Sequence, residues 1–390
     1  MKDLGGMNVA VLGAGRQGTC AAYDLVAHGR AARVVLADAS ADQLAQAVAR
    51  LQRLVPGTPV HTVLADGGDR AALAAALEGC RTAVCALPYR CAPVAARAAI
   101  DARCHLVDLG GNSAVSGSLF ELHGEAAAAG VAIVPDTGLA PGLANTLAAA
   151  GVAELENARE VRIWCGGLPA DPSLPFGYRL VFSPAGLINE YSGDAVYLRG
   201  GRLVRVPALS EIEELDLPNV GRVEAAPTSG GTSTAPESFA GRLELYEYRT
   251  VRYPGHFRRF RDLADLGLFG ETPLDIGSGS VRPRELLVRL LARALERPEA
   301  PDLVVLRVEV RGATGGMPRI VYDLFDREDP RTGFTAMERC TAYPAAAVAE
   351  MAACGEIEPG TRRLELDVAP DVCLRRLGSR PLSICRGVSP

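Results

Sequence analysis

The sequence predicts an α/β fold: an N-terminal Rossmann domain on a parallel sheet, followed by a second α+β domain for substrate and oligomerisation. Three observations predict it. Short apolar runs alternate with helical stretches through the first third of the chain. The first apolar run ends in Gly13-Ala14-Gly15-Arg16-Gln17-Gly18. After Pro141 the alternation gives way to a region rich in Gly, Pro and Tyr, with alternating strands.

Taken in order, residues 8–12 read as a strand and 15–28 as a helix. Strands at 33–37, 60–65 and 82–86 alternate with helices at 41–54, 71–77 and 93–103. Strands at 105–108 and 131–134 follow, with a helix around 120–129 between them. Such alternation predicts right-handed crossovers and helices on both sheet faces. A helix over 142–155 leads into the second region, where 161–165, 303–310 and 321–325 read as strands. The last two pair across a turn-rich connection at 312–318, and a helix spans 344–351. The expected domains are residues 1–140 and 141–343, with 344–390 packing back on the first.

The glycine loop carries the chemistry that is easiest to read. It follows a strand, opens a helix and meets Asp38 at the end of the next strand, the context a dinucleotide fingerprint requires. Gly13 permits the turn, Gly15 admits a pyrophosphate, and Gly18 allows helix to pack on strand. Free N–H groups of the loop and of Arg16 and Gln17 favour an anion. Asp38 is placed to accept from the adenosine ribose hydroxyls and to repel a 2′-phosphate, so NAD is the expected cofactor. Asp66 follows the third strand and is a candidate for the adenine end. Leu87, Pro88, Asp108 and Gly110 follow later strands, on the carboxyl edge where such sheets bind ligands. Tyr89 is a candidate to reach substrate from the same edge.

Composition narrows the classes. The net charge of −5 gives no electrostatic basis for nucleic-acid or membrane partners. Lys2 is the only lysine, which argues against Schiff-base chemistry. Ten scattered cysteines form no C-x-x-C pair and do not meet the five histidines at zinc spacing. No metal is expected, and free thiols in a reducing cytoplasm are. No apolar run approaches the roughly 20 residues of a membrane span.

Several motifs occur together: the glycine loop, Val107-Asp108-Leu109-Gly110-Gly111, the run from Pro135 to Gly142, and Trp164-Cys165-Gly166-Gly167-Leu168-Pro169. With the runs 181–187, 228–234 and 250–256 they resemble the saccharopine dehydrogenase-like family, its L-lysine 6-dehydrogenase branch above all. The resemblance runs to about residue 350. It implies NAD-dependent oxidation at the ε-carbon of lysine, loss of ammonia and cyclisation of the semialdehyde. It also implies a small-molecule amino acid as partner, in a homo-oligomer. The saccharopine-forming branch carries an arginine in the stretch aligned with 229–234, where this chain has Gly230-Gly231. Saccharopine- or carboxynorspermidine-type reductases and a non-catalytic NAD(H)-binding regulator are the alternatives. The resemblance makes Cys165, Thr232, Ser233, Arg252 and His256 substrate-binding candidates. A lysine ammonium must lose its proton before hydride leaves, and His123 and His256 are the candidate shuttles.

Overall fold

The computed structural model describes residues 3–277, 279–297, 300–313 and 319–389. The chain forms two compact units, Met1–Glu154 with Pro330–Phe334 and Glu338–Leu382, and Leu155–Asp329 with Thr335–Met337 and Ser383–Pro390.

The first unit begins with β1 (Asn8–Leu12), α1 (Arg16–Ala27), β2 (Arg33–Asp38), α2 (Ala41–Leu54), β3 (Val60–Leu64) and α3 (Arg70–Leu77). It continues through β4 (Thr82–Cys85), α4 (Ala92–Asp101), β5 (His105–Asp108), α5 (Ser113–Phe120), α6 (His123–Ala129), β6 (Ala132–Val134) and α7 (Leu143–Glu154). All strand pairs are parallel, in the order β6-β5-β4-β1-β2-β3. Order reverses between β1 and β4, and ligands of open α/β sheets bind outside the carboxyl ends of strands at such a point. The central strands are apolar runs because both faces are covered; Val9 to Leu12 are all 0% exposed. The single helix expected around 120–129 is two helices. Asn112 starts the first, its side chain accepting from the Ala114 and Val115 amides at 3.1 Å.

The second unit contains β7 (Ala158–Pro169), α8 (Pro184–Glu190), β8 (Asp194–Arg199), β9 (Arg202–Pro207), β10 (Glu213–Leu217), β11 (Gly221–Ala226) and α9 (Ala235–Ser238). Then come β12 (Leu245–Arg252), α10 (His256–Asp265), β13 (Leu274–Asp275), β14 (Ser280–Val281), α11 (Pro283–Leu295), β15 (Asp302–Gly312) and β16 (Arg319–Arg327). β15 and β16 pair antiparallel as expected, with Arg307 opposite Asp323 and their side chains 2.7 Å apart. Of the connection between them, 314–318 lies outside the described residues. The sheet is mixed, because β7 runs parallel to β12 and antiparallel to β15. Leu168, Val223, Val251 and Val305 fill one apolar cluster. Leu187 of α8, Phe257 and Phe260 of α10, and Leu287 and Leu291 of α11 fill another.

The chain ends in α12 (Ala336–Ala353), β17 (Gly360–Thr361), α13 (Leu364–Asp367), α14 (Pro370–Leu377) and β18 (Ile384–Ser389). Three expectations change here. α12 starts at Ala336 rather than Pro344, because the Asp302 carboxylate accepts from the Ala336 and Met337 amides at 2.8 and 3.0 Å. β17 adds a parallel edge strand beside β6, while β18 pairs with β16 in the second unit. Helix α7, expected beyond the first domain, belongs to the first unit.

The returning segment is tied to the first unit through charge. Arg380 is 4% exposed, and its Nε reaches both oxygens of the fully buried Asp24 at 3.0 and 2.9 Å. Its Nη2 also donates to Glu350 at 3.1 Å. Burial pushes Asp24 up to about 6 even against Arg380. Removing one partner of a buried pair leaves an uncompensated charge. Arg380→Met should therefore cost about 3–5 kcal/mol in urea denaturation. Adding Asp24→Asn should recover part of that loss, and no recovery would show the pair to be uncoupled.

Candidate active site

In the first unit the glycine loop is built by close approach. A Cβ on Gly18 would stand 1.8 Å from the Gly13 carbonyl oxygen, and one on Gly13 would stand 2.6 Å from that of Ala86. Gly13 also has φ +98, so these two positions need glycine on separate grounds. Gly15 differs: nothing lies within 4 Å of a Cβ there. It is the N-cap of the twelve-residue α1, with no side chain capping the helix. Open space at an uncapped helix N-terminus fits a pyrophosphate. Asp38 rests on the loop, accepting from the Ala14 amide at 2.7 Å and the Ser40 amide at 2.8 Å. A carboxylate has about four lone-pair sites, so these two bonds leave room for ribose hydroxyls. Gln17 is half-buried, and Arg16 is partly committed, its Nε bonded to Glu338 at 2.7 Å.

Farther along the carboxyl edge, Asp66 is exposed and closes its own turn on the Gly68 amide at 2.7 Å. Leu87 lies against Gly67, 3.3 Å from the place of its Cβ; Pro88 is exposed. Tyr89 is half-buried, its Cβ 4.0 Å from the Cβ position of Gly111. Asp108 needs correction. It is 3% exposed, its carboxylate accepts from the Gly110 amide at 2.9 Å, and its carbonyl accepts from Thr137 N and Oγ1 at 2.8 and 2.9 Å. It shapes the edge instead of facing a cofactor. A Cβ on Gly110 would meet Asp136 Oδ1 at 2.2 Å, so this position too is a glycine for packing. Asp136, itself 4% exposed, accepts from the Ser116 hydroxyl at 2.9 Å. Burial first, and then the Asp136 charge, push Asp108 up to about 7.

His123 also moves. It is exposed at the start of α6, its Nδ1 3.2 Å from the Thr361 carbonyl and its ring where a Cβ of Gly360 would be. It packs on the edge strand β17 and is not a proton shuttle at the switch point of the sheet.

In the second unit, period-two alternation puts Tyr248, Thr250 and Arg252 of β12 on one face. Register adds Cys165 opposite Thr250, and Glu224 opposite Arg252. Arg252 is 2% exposed. Its Nε donates to the Tyr191 hydroxyl at 2.9 Å, and its Nη1 to the Val251 carbonyl at 2.9 Å. Its guanidinium lies 4.9 Å from the Tyr178 ring centroid. Nη2 faces Glu190 Oε2 at 3.7 Å, an ion pair too long for a hydrogen bond. Burial works against the Arg252 charge, and Tyr191, Tyr178 and Glu190 more than offset it.

His256 is another correction. It is 0% exposed, with Nε2 2.8 Å from the Tyr191 hydroxyl and Nδ1 3.0 Å from the Phe176 carbonyl. A carbonyl can only accept, so Nδ1 carries the proton and Nε2 accepts from Tyr191. Burial and the Arg252 charge hold the ring well below the ordinary histidine range, hence neutral. His256 therefore orients Tyr191, which orients Arg252, and it neither touches substrate nor shuttles protons. Thr232 is corrected likewise: it is 4% exposed and spends its one hydroxyl proton on the Val196 carbonyl at 3.1 Å. Ser233 is half-buried in a left-handed turn, φ +51. Cys165 is 4% exposed, and burial pushes its thiol up to about 12, so it is no nucleophile at neutrality.

Two family models cover almost the whole chain. Saccharopine dehydrogenase NADP binding domain matches residues 9–134, and Saccharopine dehydrogenase C-terminal domain matches residues 138–380. The chain belongs to the saccharopine dehydrogenase family. Mitochondrial alpha-aminoadipic semialdehyde synthase of Rattus norvegicus is 23% identical over 383 residues, 79% of this chain and 41% of the relative. The chain thus spans about two fifths of that relative's length. Carboxynorspermidine synthase of Vibrio cholerae is 27% identical over 208 residues, 51% of this chain and 49% of the relative. Among solved structures, apo saccharopine dehydrogenase (L-Glu forming) from Saccharomyces cerevisiae has TM-score 0.77 at 19% identity, covering 99% of this chain and 100% of that one. Homospermidine synthase from Legionella pneumophila, in complex with NAD, has TM-score 0.65 at 10% identity, covering 100% and 92%. These two likenesses establish the fold.

For this saccharopine dehydrogenase family chain, motif reading missed Tyr178, Glu190, Tyr191 and the Asp108–Asp136 pair. A buried tyrosine or glutamate leaves no periodic signature; only Asn-Glu-Tyr directly after an apolar helix hinted at 189–191. Asp108 yields a test. Its folded pKa is raised, so its favourable contribution is complete below the unfolded value near 3.9 and is lost as pH rises through about 7. Asp108→Asn should flatten the fall in stability between those limits, measured by urea denaturation at stepped pH. An unchanged slope would mean that Asp108 does not titrate there.

Proposed function

We propose that the protein oxidatively deaminates the terminal amine of a diamino acid with one carboxylate, L-lysine before others, using NAD. The observation that carries this reading is Gly231. A Cβ there would stand 2.2 Å from ring carbons of Tyr248, so no arginine fits at that position. A second carboxylate would lose the cationic partner that the saccharopine-forming branch places in this stretch. A buried site built for one charge rejects a ligand that brings another unpaired.

The residues divide the work. Gly13, Gly15, Gly18 and the N-terminus of α1 would hold the pyrophosphate, and Asp38 the ribose hydroxyls. NAD bound there supplies a hydride acceptor. Arg252 would take the α-carboxylate on the Nη2 edge that its other bonds leave turned toward Glu190. The ε-ammonium first gives up a proton, a C–H hydride then leaves, and water hydrolyses the resulting imine to aldehyde and ammonia. Tyr89, nominated to reach substrate from the carboxyl edge, is the residue we assign to the proton transfer.

NAD is favoured over NADP because the residues after β2, Ala39-Ser40-Ala41-Asp42, bring no cation for a 2′-phosphate. A reductase joining an amine to an oxo acid is the second reading, favoured by the likeness to carboxynorspermidine synthase.

Two outcomes are expected. L-lysine with NAD at alkaline pH should yield NADH and ammonia without any oxo acid; turnover only when an oxo acid and reduced cofactor are supplied would replace this reading with the second. Asp38→Ala should narrow the NAD-over-NADP ratio of kcat/KM by about tenfold, since relieving like-charge repulsion is worth more than ~1 kcal/mol. An unchanged ratio would place Asp38 away from the ribose.

A further inference from the structure

Glu190 is placed unlike an ordinary ion-pair partner. It ends α8, and its main-chain carbonyl is held by the Ser229 amide at 2.8 Å. A third of its side chain is reached by solvent, against 3% for Arg252. Its side chain is thus the more open of the two, although burial still pushes its carboxyl up to about 7. The pair is close but unbonded at 3.7 Å. The remaining guanidinium contacts, to Tyr191 and the Val251 carbonyl, fix the cation in place. The Tyr178 ring lies 4.9 Å from the guanidinium. Its hydroxyl is fully buried with no hydrogen-bond partner among the described residues, and the Val181 main chain approaches it without the geometry of a bond.

We infer that Glu190 and Arg252 together form a two-point clamp for the head of an α-amino acid, Arg252 taking the carboxylate and Glu190 the α-ammonium. The inference rests on the proposed function for the identity of the reacting tail and deepens it by assigning the head. The two anchors are side by side, as the two charges on one α-carbon are; the ε-amine of lysine is four methylenes away and cannot meet Glu190 while Arg252 holds the carboxylate. Charge agrees. A neutral pair receives a neutral zwitterion, and each ion exchanges a loose partner for a close one of opposite sign. A ligand lacking the α-amine leaves Glu190 facing Arg252 and a second carboxylate, and a ligand lacking the carboxylate leaves the guanidinium unmatched.

The test measures binding apart from turnover. L-norleucine has the head without the reacting amine, and 6-aminohexanoate has the carboxylate and distal amine without the α-amine. Calorimetric titration of both into the full chain with NAD, at pH 9, compares the parent with Glu190→Gln, Glu190→Asp and Arg252→Lys. Glu190→Gln should weaken L-norleucine at least tenfold and should not weaken 6-aminohexanoate. Glu190→Asp should retain part of the L-norleucine affinity, and Arg252→Lys should weaken both ligands. Melting temperatures near the parent's identify variants that are folded, and Glu190→Asp serves if Glu190→Gln is not. Failure of the parent to bind L-norleucine, or an equal effect of Glu190→Gln on both ligands, overturns the clamp. If lysine is not oxidised while the L-norleucine selectivity holds, the lysine reading fails alone. If lysine is oxidised while Glu190→Gln ignores the α-amine, the clamp fails alone.

Discussion

A guanidinium taken out of water costs several kcal/mol unless its hydrogen bonds are replaced, and the second unit is arranged to hold such a group at Arg252. Tyr178 covers one face of it, Tyr191 takes Nε, and the Val251 carbonyl takes Nη1. The support continues outward. Tyr191 needs an acceptor for its own proton and finds His256; His256 needs one for Nδ1 and finds the Phe176 carbonyl. His256 opens α10, whose first turn is pinned by Glu224, accepting from the Gly255 and Phe257 amides at 2.9 and 2.7 Å. Glu224 sits opposite Arg252 in the sheet register. Strand, loop and helix thus serve one cation, and among the described residues its Nη2 edge has no closer partner than Glu190 at 3.7 Å.

How much of this the sequence discloses follows from how each feature is encoded. The glycine loop was legible because three steric demands fall within six residues: a positive φ, an open approach and a close packing. The parallel sheet was legible because strands buried on both faces must be continuous apolar runs, as in Val9 to Leu12. Arg252 could be nominated as an isolated cation in a family motif. Nothing in the motif, however, distinguished it from His256 four residues on; both are buried, and what separates them is that both ring nitrogens of His256 are bonded, to Tyr191 and Phe176, while Arg252 Nη2 has only the 3.7 Å approach to Glu190.

What stayed illegible depends on partners far apart in sequence. Asp302 starts α12, so the helix begins before the proline that marked its apparent start. Asp24 and Arg380 are joined across the length of the first unit, and each alone reads as a surface charge on a helix or turn. His123 was nominated as a proton shuttle, but its ring packs against Gly360, which no local pattern links to it. The Gly230-Gly231 pair is the instructive intermediate. Its sequence said that an arginine was missing, and the Tyr248 ring says why one cannot be there.

That distinction bears on how specificity is built. Gly230 has φ +88 and open space at its Cβ position, so its backbone alone calls for glycine. Gly231 is glycine because an aromatic ring occupies its side-chain volume. Restoring an arginine at 231 would require Tyr248 to move. Tyr248 cannot move alone, since its hydroxyl accepts from Thr250 at 3.3 Å and Thr250 is bonded to Thr228 at 2.7 Å. One small residue is therefore coupled to a buried polar chain on the sheet face that also carries Arg252. On the proposed reading, selectivity against a second carboxylate comes from filling the space where its cation would sit, and selection of the α-amino acid head comes from the charges at Glu190 and Arg252. Exclusion and attraction are then carried by different residues on one sheet face and its covering helix, so substitutions at each should change substrate choice separately.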